Sequence, residues 1–256
     1  MMDSLITIPA FGDNFAYVYR CDKQDAIAVD PSDGAAVMGT LKERVLKLAA
    51  ILVTHHHFDH TAGVGELKKR YGCEVIGADG RRIAGISRAV GDGEVLRFGE
   101  VEIEVIGTPG HTKTSVCYYK RTSEGGSGRI VWTGDTLFIG GCGRILECGP
   151  GMMWESLMKL ARLPDDTAVC CGHNYTEENY EFALGIEPDN EAVQRRLEEV
   201  KLAQRSGKEI VSTILEEKRT NIFLRSDTAE VKAAVGMRGA SAVEVFAELR
   251  RRKDYY

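Results

Sequence analysis

The chain is poor in several features that would mark common protein classes. Its seven cysteines are odd in number and irregularly spaced, and none forms a CxxC pair. That pattern argues against a disulfide scaffold and against a cysteine-ligated zinc finger. Cys170 and Cys171 are adjacent in a strand-like run, so they point to opposite faces and do not readily serve one site. No apolar run approaches the length of a membrane span, and Met1-Met2-Asp3-Ser4 is not a basic stretch leading into an apolar one. A reduced, cytoplasmic compartment is therefore expected. Positive charge is not in excess: 33 basic and 38 acidic residues leave a net charge of −5, with no global attraction to nucleic acid or an anionic membrane. An anionic ligand would have to meet a local basic patch. Repeats at solenoid periods are also missing.

What is present suits a soluble globular protein. With 256 residues, 43% hydrophobic and 28% charged, the chain can bury a sizeable core in one large domain or in a large and a small one. It has only six histidines, and four of them fall within Thr54-His55-His56-His57-Phe58-Asp59-His60, directly after the apolar run Ala49–Val53. The other two, His111 and His173, each follow a short apolar run.

The first part of the chain reads as mixed strands and helices. Strands are expected at Leu5–Ile8, Phe15–Tyr19, Ala26–Val29, Ile51–Val53, Glu74–Ile76, Val95–Phe98, Val101–Val105, Ser115–Tyr119 and Arg129–Trp132. Helical spacing of Val37, Leu41, Val45 and Leu48 predicts a helix from Gly34 to Lys47, and Gly72 closes a shorter one from Gly65 to Tyr71. A flexible loop is expected at Ser123–Gly128. Beyond about residue 174 the texture turns helical, with segments at Glu177–Leu184, Asn190–Arg205, Thr228–Val235 and Ser241–Arg252. Asp189-Asn190 and the Ser241/Glu244 pair resemble N-terminal caps. The expected division is thus 1–174, an α/β domain, and 175–256, a smaller helical domain.

One placement recurs along the first domain. His55 and His57 follow the Ile51–Val53 strand, His111 follows Val101–Ile106, Asp135 follows Ile130–Trp132, and His173 follows Thr167–Cys171. Each polar residue stands just past the C-terminal end of an apolar strand, where loops from neighbouring strands can converge. Extended alternation would put His55, His57 and Asp59 on one side, with His60 turning away to a second position. The candidate ligands are His55, His57, Asp59, His60, His111, Asp135 and His173. One catalytic zinc takes about three protein ligands. Seven ligands with one bridging carboxylate suit two metals roughly 3.5–4 Å apart. Imidazole and carboxylate donors favour zinc, iron or manganese. The side chain of His56 is expected to point away from the ligands.

The motif His55-x-His57-x-Asp59-His60, with His111, Asp135 and His173 downstream, resembles the metallo-β-lactamase superfamily signature. That resemblance implies an αββα sandwich, here with a C-terminal helical domain. It also implies a first metal on His55, His57 and His111, a second on Asp59, His60 and His173, and Asp135 as the bridge. More local stretches narrow the resemblance: Thr54–His60, Gly134–Phe138, Gly141-Cys142-Gly143-Arg144, Cys171–Thr176, Asn221–Arg225 and Arg250–Asp254 are similar to glyoxalase II, the hydroxyacylglutathione hydrolases. The activity so implied is hydrolysis of S-D-lactoylglutathione to glutathione and D-lactate, the second step of methylglyoxal detoxification. Two divalent metals, zinc first, would support it, with Asp59 and Asp135 taking part in catalysis. The family's glutathione contacts carry over to Arg144, Tyr175, Arg250 and Lys253, cations and a phenol suited to a peptide with two carboxylates. Three positions depart from the pattern: Leu146 for a usual tyrosine, Asn174 for a usual glutamate and Gly110 for a frequent cysteine.

Three rival readings are weaker on the residues. A persulfide dioxygenase of the same superfamily uses a single iron and needs fewer of these ligands. A nuclease needs a basic groove in a chain that is acidic. A non-catalytic, metal-stabilised binding module leaves Asp59 and His60 unexplained beside the first-metal ligands. The partner expected is therefore a small-molecule glutathione thioester, with neither nucleic acid nor membrane, bound by a monomer.

Overall fold

The computed structural model describes residues 4–122 and 128–256, so the loop expected at Ser123–Gly128 lies outside the described residues except for Gly128. The chain forms two compact units. The first comprises Met1–Gly107, Thr114–Gly134 and Cys170–Asn174; the second comprises Thr108–Lys113, Asp135–Val169 and Tyr175–Tyr256. By compactness two earlier segments, Thr108–Lys113 and Asp135–Val169, group with the C-terminal part.

The first unit is built on a six-stranded sheet: β1 (Leu5–Ala10), β2 (Asn14–Arg20), β3 (Asp25–Val29), β4 (Lys47–Val53), β5 (Glu74–Gly77) and β6 (Arg88–Ala89), in that order. The β1–β2 and β2–β3 pairs are antiparallel, whereas β3–β4, β4–β5 and β5–β6 are parallel. Parallel pairing puts the C-terminal ends of β3 and β4 at the same edge. There Asp30, the residue after β3, accepts a 2.7 Å bond from the backbone N–H of Thr54, the residue after β4.

Two helices connect these strands, α1 (Gly34–Glu43) and α3 (Val64–Tyr71), with the single turn α2 (Phe58–Thr61) between them. Val37 and Leu41 of α1 and Val64 and Leu67 of α3 bury their side chains in a core with Val18, Ala28, Ile51, Val53 and Val75. Asp33 caps α1 by accepting from the N–H of Ala36. The helix is shorter than its apolar spacing predicts. Val45, at φ +56°, turns the chain out of the helix, while Leu46 N–H returns to Leu41 C=O at 2.8 Å and Val45 N–H to Lys42 C=O at 3.2 Å. This is the Schellman pattern, which usually places glycine at the left-handed position. Val45 therefore ends the helix, and Lys47 and Leu48 belong to β4.

A meander faces the first sheet: β7 (Val95–Phe98), β8 (Val101–Gly107), β9 (Val116–Lys120) and β10 (Ile130–Gly134), all antiparallel. The fully buried Tyr118 joins the sheets, its hydroxyl donating to Val53 C=O at 2.9 Å and Ile76 C=O at 3.2 Å. Burial drives the Tyr118 phenol well above its ordinary pKa, so the donor stays protonated. Tyr19 meets Trp132 edge-on at 5.6 Å.

The second unit begins with a ribbon, β11 (Leu137–Phe138) and β12 (Gly141–Cys142), followed by α4 (Pro150–Ala161) and β13 (Ala168–Cys171), whose first two residues pair with β14 (Ser212–Thr213). The rest is helical: α5 (Thr176–Ile186), α6 (Glu191–Arg205), α7 (Ile214–Thr220), α8 (Ala229–Ala234) and α9 (Ala242–Asp254). Asn190 and Thr228 cap α6 and α8, and Ser241 with Glu244 forms a reciprocal capping box on α9. Helices α4 and α7 and the short strands are additional to those read from the sequence. Among the described residues no helix is long and apolar enough to cross a membrane.

Candidate metal centre

The first unit gathers five of the expected ligands at the C-terminal ends of its strands. His55 Nδ1 lies 3.0 Å from Thr54 Oγ1, and His55 Nε2 lies 3.0 Å from His57 Nδ1. Extended alternation stops at His57, which is the N-cap residue of α2. Asp59 and His60 therefore sit on a helical turn and not on a continued strand, so Asp59 is not brought round by alternation as expected. Helical geometry aims both groups inward: His60 Nε2 is 3.8 Å from Asp59 Oδ2, and His173 Nε2 is 3.3 Å from the same oxygen.

Each of these rings is held from behind. His60, fully buried, has its Nδ1 2.9 Å from Asp30 Oδ2. His173 has its Nδ1 3.0 Å from Asp13 Oδ1. Asn14 donates to the Asp59 carboxylate at 3.2 Å and to the Asp59 C=O at 3.1 Å. A neutral imidazole carries one N–H and one lone pair, so a ring that donates outward through Nδ1 presents its Nε2 lone pair inward. Lone pairs from His60 and His173 then converge on a carboxylate. Such an arrangement is repulsive without a cation and favourable around one, the usual construction of a supported metal site. The residues present fit a divalent metal.

Asp59, His60 and His173 each offer one ligand atom within 4.8 Å of the others, and Asp30, His55 and His60 do likewise. Asp30 is better read as a support than a ligand. Its two oxygens already accept from Thr54 N–H at 2.7 Å, Thr54 Oγ1–H at 2.6 Å and His60 Nδ1 at 2.9 Å. His56 takes a separate course, with its Nε2 3.3 Å from Arg82 Nη1. Arg82 in turn donates to Thr114 Oγ1 at 3.1 Å, and Thr114 to Asp79 at 2.9 Å.

The second unit holds the other two expected ligands. His111 Nδ1 donates to the Arg144 C=O at 2.9 Å, and His111 Nε2 is 3.3 Å from Asp135 Oδ2. The construction repeats that of the first unit, except that the outer acceptor is main chain. Space around the loop is tight. A Cβ on Gly143 would lie 2.0 Å from the Asp135 C=O, and one on Gly110 would lie 2.2 Å from Met153 Sδ. Methionine thus fills the room that a cysteine at position 110 would need.

The four residues expected to touch glutathione differ in how they are placed. Arg144 is exposed, and Tyr175 is half-buried with its ring edge-on to Phe138 at 5.4 Å. Arg250 is buried; its Nη1 donates to the Cys142 C=O at 2.8 Å and its Nη2 pairs with Asp254 at 3.1 Å. Lys253 pairs with Glu178 at 2.5 Å and lies over the Phe182 and Tyr256 rings. Burial lowers the Lys253 ammonium below its ordinary pKa, with Glu178 opposing. Both C-terminal cations thus face protein partners. Burial also pushes the Cys142 thiol up to about 11, against the nearby Arg250, and raises Cys148 likewise. Neither cysteine supplies a ready thiolate nucleophile.

Sequence reasoning missed Asp13, Asn14, Thr54 and Asp30 as supports. Asp30 had a usable signal, since it follows the apolar strand Ala26–Val29 just as the histidines follow theirs. Asp13 and Asn14 read only as turn formers.

Comparison with known proteins gives this arrangement a family. Residues 10–173 match the model of the metallo-beta-lactamase superfamily, and residues 174–256 match that of the hydroxyacylglutathione hydrolase C-terminus. A hydroxyacylglutathione hydrolase from Rhodopseudomonas palustris (strain BisB5) is 44% identical over 251 residues, 96% of each chain. One from Rhodospirillum rubrum is 44% identical over 253 residues, 97% of each. Among solved structures, that of ETHE1 from Myxococcus xanthus superposes with a TM-score of 0.69 at 23% identity, covering 96% of this chain and 89% of that one, a likeness of fold. The chain has the metallo-β-lactamase fold with a C-terminal helical domain. With both models matched in succession and relatives at this identity over nearly the whole length, the chain belongs to the hydroxyacylglutathione hydrolase family of the metallo-β-lactamase superfamily.

Proposed function

We propose that this protein is a thioester hydrolase that cleaves S-D-lactoylglutathione, a 2-hydroxyacylglutathione, to glutathione and D-lactate. The observation that carries the reading is the set of histidines whose outward nitrogens are engaged, by Asp30 for His60, Asp13 for His173 and the Arg144 C=O for His111, leaving their inward nitrogens on carboxylates. In this reading His55, His57 and His111 would hold one divalent metal and Asp59, His60 and His173 a second, with Asp135 a candidate ligand shared by both. Zinc suits the donors best, and iron or manganese also fit nitrogen and carboxylate oxygen. Bound there, such metals supply a water acidified to a pKa of about 7 and Lewis-acid stabilisation of a developing oxyanion.

The chain's own residues supply position and charge. Asn14, donating to the Asp59 carboxylate at 3.2 Å, fixes the oxygen that faces His60 and His173. The exposed Arg144 offers a bidentate grip for a carboxylate of the substrate, and the half-buried Tyr175 a hydrogen-bonding phenol. Arg250 and Lys253 contribute positive charge to that end of the substrate from buried and half-buried positions. The leaving thiol has a pKa of about 8.5, so it departs as thiolate without a dedicated proton donor. Residues 1–174 would carry the chemistry and 175–256 the thiol-binding end, in a monomeric cytoplasmic enzyme.

The test is hydrolysis of S-D-lactoylglutathione by purified protein, followed at the thioester absorbance, with metal content taken on the same sample. Turnover with about two metals per chain, lost in Asp59→Ala, is the expected result. One bound iron, with oxygen uptake on glutathione persulfide and no thioester hydrolysis, would overturn it.

A further inference from the structure

The ribbon between Asp135 and Arg144 pairs Leu137 with Cys142 and Phe138 with Gly141, and five main-chain groups along its turn meet buried side chains from the C-terminal helices. Asn221, the C-cap residue of α7, donates to the C=O of Gly141 at 2.9 Å and of Phe138 at 3.3 Å. Asn179 of α5 donates to the Ile139 C=O at 3.1 Å. Glu217 of α7 accepts from Gly140 N–H at 2.9 Å, and Arg250 of α9 donates to the Cys142 C=O at 2.8 Å. Glu217, fully buried, is the hub: Asn221 Nδ2 donates to it at 2.9 Å and Ser212 Oγ at 2.5 Å.

The contacts leave little slack. Gly140 lies at φ +71°, and a Cβ there would meet the Tyr180 ring at 2.9 Å; a Cβ on Gly141 would meet Asn179 at 2.4 Å. The two ends of the clamped segment are the groups that touch His111. Asp135 stands at its entry, 3.3 Å from His111 Nε2, and Arg144 at its exit, with its C=O 2.9 Å from His111 Nδ1. Displacing the ribbon would therefore disturb the His111 tautomer and the Asp135 carboxylate together, and would carry the Arg144 guanidinium with them.

We propose that Glu217, with Asn221, Asn179 and Arg250, is a positioning clamp that sets the metal-binding geometry of His111 and Asp135 and the place of Arg144, although none of the four is itself a metal ligand. The proposal rests on the metal-centre reading above. It also gives Arg250 a main-chain role beside the charge assigned to it.

The experiment measures metal affinity of the full chain by competition with a chromophoric chelator, and separately kcat and KM, for Glu217→Ala, Glu217→Gln and Asn179→Ala. Glu217→Ala is expected to weaken the chain's affinity for zinc by roughly 10- to 100-fold, the usual effect of losing an outer support. Glu217→Gln restores it, because its carbonyl can accept from Gly140 and Asn221 while its amide donates to Ser212. Should Glu217→Ala fail to fold, Asn179→Ala removes only the Ile139 contact and is expected to act in the same direction. In a double-mutant cycle, KM effects of Asn179→Ala and Arg144→Ala are non-additive if the clamp acts through Arg144. Zinc affinity unchanged in Asn179→Ala, with additive KM effects and only thermal stability reduced, would overturn the clamp. Chelator competition needs no substrate, so loss of the hydrolase reading and loss of the clamp are told apart.

Discussion

The two units orient histidines in different ways, and the difference is instructive. In the first unit the supports are side chains at strand ends and in the turn before β2: Asp30 behind His60, Thr54 behind His55, Asp13 behind His173. In the second unit the support for His111 is a main-chain carbonyl, and that carbonyl's ribbon is held by side chains 40 or more residues later in the chain than the groups they bond, Asn179 to Ile139 being the nearest. A buried carboxylate lies at the heart of each arrangement, and the two should respond oppositely to loss of charge. Asp30 accepts from three donors, of which the Thr54 N–H is fixed and His60 Nδ1 can yield only by changing tautomer. An amide there must turn its NH2 toward one of them. Glu217 accepts its two fixed N–H groups on a single oxygen and a reversible hydroxyl on the other.

Asp30→Asn is accordingly the largest expected effect. The substitution opposes His60 Nδ1 with an amide donor, or else forces the His60 proton onto Nε2, the atom that faces Asp59. Metal affinity should fall by roughly 10- to 100-fold, measured as metal retained per chain after dialysis against a graded chelator. Retention equal to wild type would mean that the Asp30–His60 bond does not set the tautomer, and the contrast between the units would lose its basis.

The same contrast explains what could be read from sequence. His55, His57, His111, Asp135 and His173 stood out because each lies just past an apolar strand, and Asp59 and His60 because they complete the motif begun at His55, patterns local in the chain. Asp30 obeyed the same placement but lies outside the His55–His60 motif and the downstream residues that resemble the superfamily signature, so it drew no attention. Asp59 was brought inward by the α2 turn and not by strand alternation, a distinction that four residues of sequence do not encode. The clamp was illegible for a deeper reason. Glu217, Asn221 and Asn179 act on main-chain atoms, which leave no residue-specific mark at the receiving end except the glycines at 140, 141 and 143. Helices α4 and α7 were likewise hidden, the first behind Gly149-Pro150 and the second by its seven-residue length.

A smaller effect sharpens the contrast through pH. Burial raises the Glu217 carboxyl above its ordinary value, and the bonds from Ser212, Asn221 and Gly140 only partly oppose it. A raised folded-state pKa means that the proton is held more tightly in the folded protein. The stability this confers is complete below the unfolded value of about 4.3 and is lost as pH rises through the folded value. Glu217→Gln removes the linkage, so its stability relative to wild type should improve as pH rises from 4 toward neutrality, read from urea midpoints of both proteins across that range. Parallel curves would show that the carboxylate enters the fold already ionised at no penalty.

The smallest expected effect is at Val45, which precedes the N-terminal end of β4, the end opposite the one that leads to His55, and serves as a control. Its φ of +56° is the left-handed conformation of the α1 terminus, and the residue is 81% exposed, so it contributes almost no burial in return. A β-branched residue there is strained by about 1–2 kcal/mol. Glycine relieves that strain and adds back about 0.4–1 kcal/mol of unfolded-state entropy. Val45→Gly should therefore stabilise the protein by about 0.5–1 kcal/mol, or about 2 °C in a chain of this size, with metal affinity unchanged. An increase in stability accompanied by altered metal binding would mean that strain in the α1–β4 connection is transmitted along β4 to Thr54 and His55, and that the first unit's supports, like the second's, extend well beyond the residues that touch the rings.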